Sequence, residues 1–126
     1  MKPVIYSIII VLTIVILGTF TIRMLNKESE NFHNLLTDLE RSIYNNKWEE
    51  ANNIGKKLEK EWDNYKKVWP MLIDHSEIDN VNMLLAELES YVKSSDKTES
   101  LSKIASLKVM IKHIPKKESF IIQNIL

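Results

Sequence analysis

The chain has 126 residues, 17 basic and 17 acidic side chains, no cysteine, two glycines and three prolines. Zero net charge argues against a nucleic-acid binder that works through a broad basic surface. The lack of cysteine excludes disulfide scaffolds, thiol catalysis, cysteine-based zinc sites and iron–sulfur clusters; scarce Gly and Pro argue against linker-like and turn-rich β chains.

Neutrality conceals a division. Residues 4–22, VIYSIIIVLTIVILGTFTI, are nineteen consecutive uncharged residues, and all 17 acids lie at Glu28 or later. Removing Lys2, Arg23 and Lys27 from the 17 basic residues leaves 14 against 17 acids over 28–126, a net of −3. Nineteen helical residues cover roughly 28 Å, about one hydrocarbon core. Lipid offers the backbone no partner but itself, so this run is expected to be helical despite its β-branched content.

The expectation is a transmembrane signal-anchor helix over 1–26 and a helical bundle domain over 27–126. A cleaved signal peptide would want a shorter apolar core and a small-residue cleavage site. No alanine precedes Ala51, and Gly18-Thr19-Phe20-Thr21 is a poor substitute. Gly18 has Ile14 and Ile22 four residues away, so no small-xxx-small pair supports self-association of this helix. Lys2 and the amino terminus flank one end of the run, Arg23 and Lys27 the other, so the positive-inside rule does not itself favour a cytoplasmic N-terminus. The very short N-terminal tail reads as a signal-anchor, with a single pass through the cell membrane and the bulk of the chain extracytoplasmic.

Helices follow throughout. Phe32, Leu35, Leu36, Leu39 and Ile43 recur at helical spacing over about 28–45, and nothing separates them from the apolar run. Asn45-Asn46 supplies a turn, with Asn46 and Glu49 spaced as a capping box. In the next helix Trp48, Ala51, Gly55, Leu58, Trp62, Tyr65, Trp69 and Leu72 keep a 3-4 spacing, a heptad seam whose small Ala51 and Gly55 would admit a bulky neighbour. The charges of Lys56–Lys67 form a solvated face. Pro70 ends or kinks this helix at Trp69.

Asp74 with Glu77, or Ser76 with Asp79, can cap a third helix with the seam Ile78, Val81, Leu85, Leu88 and Val92. Asp96 and Glu99 form another capping box ahead of Leu101, Ile104, Leu107, Ile111 and Ile114. Pro115 is expected to interrupt that fourth helix, leaving the apolar ending FIIQNIL. Short connections make neighbouring helices antiparallel. The fold class is all-α: an N-terminal transmembrane helix, then an antiparallel up-down bundle of about four helices.

Chemistry is scarce. Asp74-His75-Ser76-Glu77-Ile78-Asp79 is the polar cluster that invites a site reading, since carboxylates and an imidazole could bind a metal or share a proton. On a helix, however, His75 and Asp79 share a face and Glu77 points elsewhere, so acids matched to a helix N-terminus are the simpler account. His33 and His113 stand alone. No phosphate loop, nucleophile elbow or HExxH motif occurs. No catalytic, metal-binding or cofactor-binding residue is therefore assigned. The Trp stripe reads as core first; its alternative is a groove for a peptide, glycan or partner helix, with Trp69 the exposed member beside Pro70.

The Trp-rich helix with Trp48, Trp62 and Trp69, the segment Ile73-Asp74-His75-Ser76-Glu77-Ile78-Asp79 and the ending Asn124-Ile125-Leu126, all behind an N-terminal anchor, resemble one family. It is the bacterial membrane-anchored domain of unknown function number 4363, and the likeness spans nearly the whole chain. The resemblance implies a single anchor, a helical exported domain and no assigned activity. The expected role is a non-enzymatic interaction or accessory module of the cell envelope, in contact with the lipid bilayer and a protein partner but no nucleic acid. Trp69, Asp74, His75, Glu77, Phe120, Ile121 and Ile125 are the candidate contact residues. An extracytoplasmic bundle sensing a small ligand or metal between the Trp helix and the His75 turn is the alternative.

Overall fold

A computed structural model describes residues 1–125. Four helices follow in order: α1 (Lys2–Tyr44), α2 (Trp48–Tyr65), α3 (His75–Lys93) and α4 (Lys97–Ile125), with a single 3-10 turn, Trp69–Met71, between α2 and α3. The expected all-α up-down arrangement is what is found. The apolar run and the first bundle helix are one unbroken helix of 43 residues, so α1 passes the expected domain boundary at 26/27 without a break.

The core begins at Leu25 and continues down one stripe of α1 through Ser29, Phe32, Leu36, Leu39 and Ile43. Helix α4 packs most extensively on this stripe and α2 next; α3 packs on α4 and only thinly on α2. Each surrounding helix presents an apolar seam: Ala51, Ile54, Leu58, Trp62 and Tyr65 from α2; Ile78, Val81, Leu88 and Val92 from α3; Ile104, Leu107, Ile111 and Ile114 from α4. At the end nearest the apolar run, Phe32, Trp62, Tyr65 and Trp69 form an aromatic cluster. Tyr65 stacks on Trp69 at 5.3 Å and Trp62 meets Trp69 edge-on at 5.6 Å.

Both tight turns end their preceding helix in the same way. Asn46 (φ 59°) and Ser95 (φ 55°) adopt the left-handed conformation usually left to glycine. Lys47 N–H then bonds the Ser42 carbonyl and Asn46 N–H that of Ile43; in the second turn, Asp96 N–H bonds Tyr91 and Ser95 N–H bonds Val92. These paired bonds satisfy carbonyls that the helix end would orphan. The expected Asn46–Glu49 capping box is therefore absent: Asn46 terminates α1, and Lys47 starts α2 without a side-chain cap. The other two caps form, with Asp74 accepting from Ser76 N–H and Asp96 from Glu99 N–H.

Pro115 does not interrupt the fourth helix, contrary to expectation; α4 runs through it to Ile125. A proline offers no amide to the carbonyl four residues earlier, here Ile111, and its ring crowds that carbonyl. The buried hydroxyl of Ser29 on α1 donates to the Ile111 carbonyl at 2.6 Å. A side chain on a neighbouring helix thus replaces the missing amide, and α4 continues. Ion pairs from α4 reinforce the alignment: Lys108 with Glu40 at 3.1 Å and Lys103 with Glu87 at 2.6 Å. Exposed pairs of this kind set register more than they stabilise.

Ser29→Ala should leave the Ile111 carbonyl buried and unsatisfied and cost about 1–3 kcal/mol in denaturant unfolding of the detergent-solubilised chain. Restoring an amide with Pro115→Ala should shrink that cost, so the two substitutions should couple by roughly 1 kcal/mol in a double-mutant cycle. Equal costs in both backgrounds would mean that Ser29 does not stand in for the amide.

Candidate functional site

The thin contact between α2 and α3 leaves a groove. Leu58 and Trp62 from α2, Leu85, Leu88 and Val92 from α3, and Leu39 from α1 below enclose a cavity of about 260 Å³. Its rims carry both signs of charge, Lys56, Glu59, Asp63 and Lys66 on one side and Glu89 and Lys93 on the other. The Trp62 indole N–H donates to Asn82 Oδ1 across the groove at 2.7 Å, tying its two walls together. A side-chain carbon added at Gly55 would meet nothing within 4 Å. The space the sequence reserves for a bulky neighbour is therefore not taken by any other of the described residues. Ile54, not Gly55, is the buried residue of that turn, because α2 turns its seam toward α1.

Trp69 is not the exposed member of the stripe. Its side chain is 0% exposed, and the indole N–H donates to Glu28 Oε2 on α1. The 3-10 turn around Pro70 rotates Trp69 inward onto Tyr65, so the proline seats the ring where it was expected to displace it. Asp74 is the N-cap of α3, and His75 is exposed on its first turn. Glu77 instead faces α4, pairing with Lys117 at 3.4 Å, while its Oε2 is buried with no hydrogen-bond partner among the described residues. The His75 turn and the C-terminal part of α4, separate in the sequence, therefore meet at one end of the bundle.

Phe120 and Ile121 are exposed there, at 64% and 40%. Ile125 is the last residue of α4, and its side chain lies outside the described residues. No group of three or more His, Cys, Asp or Glu side chains among the described residues is arranged to hold a metal ion.

Electrostatics at this end follow from burial. Glu118 is held above the ordinary carboxylate range first by desolvation, then by the Glu77 and Asp74 carboxylates, against the opposing pull of Lys117. The Tyr65 hydroxyl, buried beside the Glu61 carboxylate, is pushed well above its usual range by desolvation first and then by Glu61 and Glu28. His33, between Lys112 and Lys108, is lowered chiefly by burial and secondarily by those two charges.

An up-down helical bundle built around a helix with a long, bare apolar extension is the class that this architecture defines. Residues 19–125 match the family described as Domain of unknown function (DUF4363), and the chain belongs to that family. No curated protein and no solved structure matches it.

The sequence offered a groove only as the alternative reading of the Trp stripe, with Trp69 at it, whereas the groove found is lined by Gly55, Leu58 and Trp62 and not by Trp69; a cavity is the failure of two helices to close, which neither helix's pattern records. Gly55, small at a seam position, was its one sign. A raised Glu118 means that folding favours the protonated carboxyl, so stability is lost as pH rises from the ordinary glutamate value through the raised one. Glu118→Gln should accordingly raise the melting temperature near pH 7, with the gain fading toward about pH 4. A gain independent of pH would place the effect elsewhere than in the carboxylate's charge.

Proposed function

We propose that this chain is a non-enzymatic, single-pass membrane protein that holds a partner at the membrane surface. In this reading, its bulk lies outside the cytoplasm, and the α2–α3 groove receives an amphipathic helix of a partner protein. The observation that carries the anchored reading is the state of α1. Residues 4–17 are exposed all round the helix, which then enters the bundle core without a break. An apolar surface of that extent is far larger than a soluble monomer leaves bare. The hydroxyls of Ser7, Thr13 and Thr19 bond back to carbonyls four residues earlier, so these side chains suit hydrocarbon as well as water. A cleavage near Gly18–Thr21 would fall within a helix that the bundle already begins to cover.

The groove supports the choice of occupant. From Asn52 to Lys66 it follows α2 for roughly 21 Å, the length of about four helical turns. An apolar floor between rims of mixed charge matches a helix with one apolar stripe and charged flanks.

Gly55→Ala should raise the melting temperature, since the added methyl meets no atom and alanine is the better helix former by about 0.5–1 kcal/mol. Gly55→Trp should leave the fold intact and fill the groove. A photo-crosslinker at Lys56 in intact cells should then capture a helical segment of one membrane or envelope protein in the native background and lose it in the Gly55→Trp background. Crosslinks that persist unchanged, or that join only copies of this chain, would refute a partner helix in the groove. Orientation has its own measurement. A cysteine replacing the exposed Thr98 should react with an impermeant maleimide on intact cells; reaction only after lysis would place the bundle in the cytoplasm.

A further inference from the structure

We infer that the C-terminal part of α4 is a second membrane contact: Phe120 and Ile121 sit in the bilayer interface beside α1, facing lipid. The inference rests on the anchored reading of α1 and deepens it.

The first observation is register. Helices α1 and α4 run antiparallel, and two hydrogen bonds fix their alignment: Lys97 Nζ to the Tyr44 carbonyl, and Ser29 Oγ to the Ile111 carbonyl. Between these links the two helices advance almost in step. Continuing the same step from Ser29 and Ile111 sets Phe120 level with Phe20 and Ile121 level with Thr19, inside the apolar run that ends at Ile22. That is roughly 3–5 Å within the boundary.

The second observation is the pattern of cover on α1. Residues 4–17 are bare, but Gly18, Thr21 and Ile22 are half-buried, in line with the core residue Leu25, while Phe20 on the other side is 66% exposed. The C-terminal part of α4 is the element that register brings to this stripe. A helix packed about 9 Å from α1 at that level shares its depth to within about 3 Å at a tilt of about 20°. Phe120 and Ile121, on the uncovered side of α4, therefore meet the same surroundings as Phe20.

The sequence agrees with the placement. Residues 119–126 carry no charged side chain. Lys116, Lys117 and Glu118 immediately precede them; Lys117 is level with Arg23, where cationic side chains meet lipid headgroups, and Glu118, level with Ile22, is pushed toward its neutral form first by desolvation. An apolar face entering to this depth is the behaviour of an interfacial helix. Pro115 and Ser29 acquire a role here too, because an α4 broken at Pro115 would not deliver Phe120 to this level.

Single cysteines are introduced into the full, naturally cysteine-free chain at Leu12, Val109 and Phe120, all exposed, and labelled with an environment-sensitive fluorophore. The protein is then reconstituted in phosphatidylcholine–phosphatidylglycerol vesicles with and without brominated lipid. The labels at Leu12 and Phe120 should be blue-shifted relative to Val109 and lose emission to brominated lipid, since an interfacial helix buries its apolar face at the headgroup–acyl boundary. The label at Val109 should respond only to aqueous iodide. If Leu12 is in lipid while Phe120 is quenched by iodide as Val109 is, the second contact is refuted and the anchor stands. A Phe120 label shielded from both quenchers would mean that protein covers it, which also overturns the inference. A Leu12 label in water would remove the anchored reading itself.

Discussion

One helix has to satisfy two surroundings, and the rest of the structure follows from that constraint. Over its first part α1 is apolar on every face; beyond Leu25 only a stripe remains apolar and the other faces carry charge. The stripe is the surface on which α4 and α2 assemble, while α3 closes the ring by way of α4. Because Leu25, Phe32, Leu36, Leu39 and Ile43 all belong to this one rod, the bundle cannot turn relative to the apolar extension without losing core contacts. The bundle and the extension are mechanically a single piece.

The stripe also explains why α4 is longer than either α2 or α3. A helix needs a surface to lie on, and α1 offers one past the edge of the bundle, through Ile22 to Gly18. Reaching it means passing Pro115, and the Ser29 hydroxyl sits on α1 at the level where the carbonyl of Ile111 needs a donor. One buried oxygen on the central helix thus permits an otherwise forbidden residue in its neighbour. The hydroxyl and the carbonyl it serves are 82 residues apart along the chain.

Much of this architecture was legible in the sequence. Helical spacing identified the buried faces of α3 and α4, and Asp74 and Asp96 cap where their spacing to the next helix says they should. Most of the misreadings share one cause: a local rule met a partner or a demand from another element. Pro115 reads as a helix breaker until Ser29 is seen beside Ile111. Trp69 reads as displaced by Pro70 until the turn is seen to stack its ring on Tyr65 and offer its N–H to Glu28. Asn46 has the spacing of an N-cap, but the end of α1 has the prior demand, for a residue that tolerates positive φ. The seam of α2 named Gly55 as core, whereas α2 leans on α1 and leaves Gly55 at an opening. Of the candidate contacts, Phe120 and Ile121 are exposed as a contact surface requires, and Trp69 is spent on the core.

The unbroken α1 has a mechanical consequence on the anchored reading. From Ile22 to Tyr44 it projects roughly 33 Å beyond the apolar run, so a tilt of about 10° moves its far end by about 6 Å. Bilayer thickness changes the tilt of anchors. The groove, which runs along the bundle from beside Leu39 down to Trp62 and Lys66, would travel along the membrane plane with every such change, its Leu39 end farthest, while Phe120, near the pivot, would hardly move. The chain is then a lever with its fulcrum at the headgroups, and lipid composition sets how far the lever reaches.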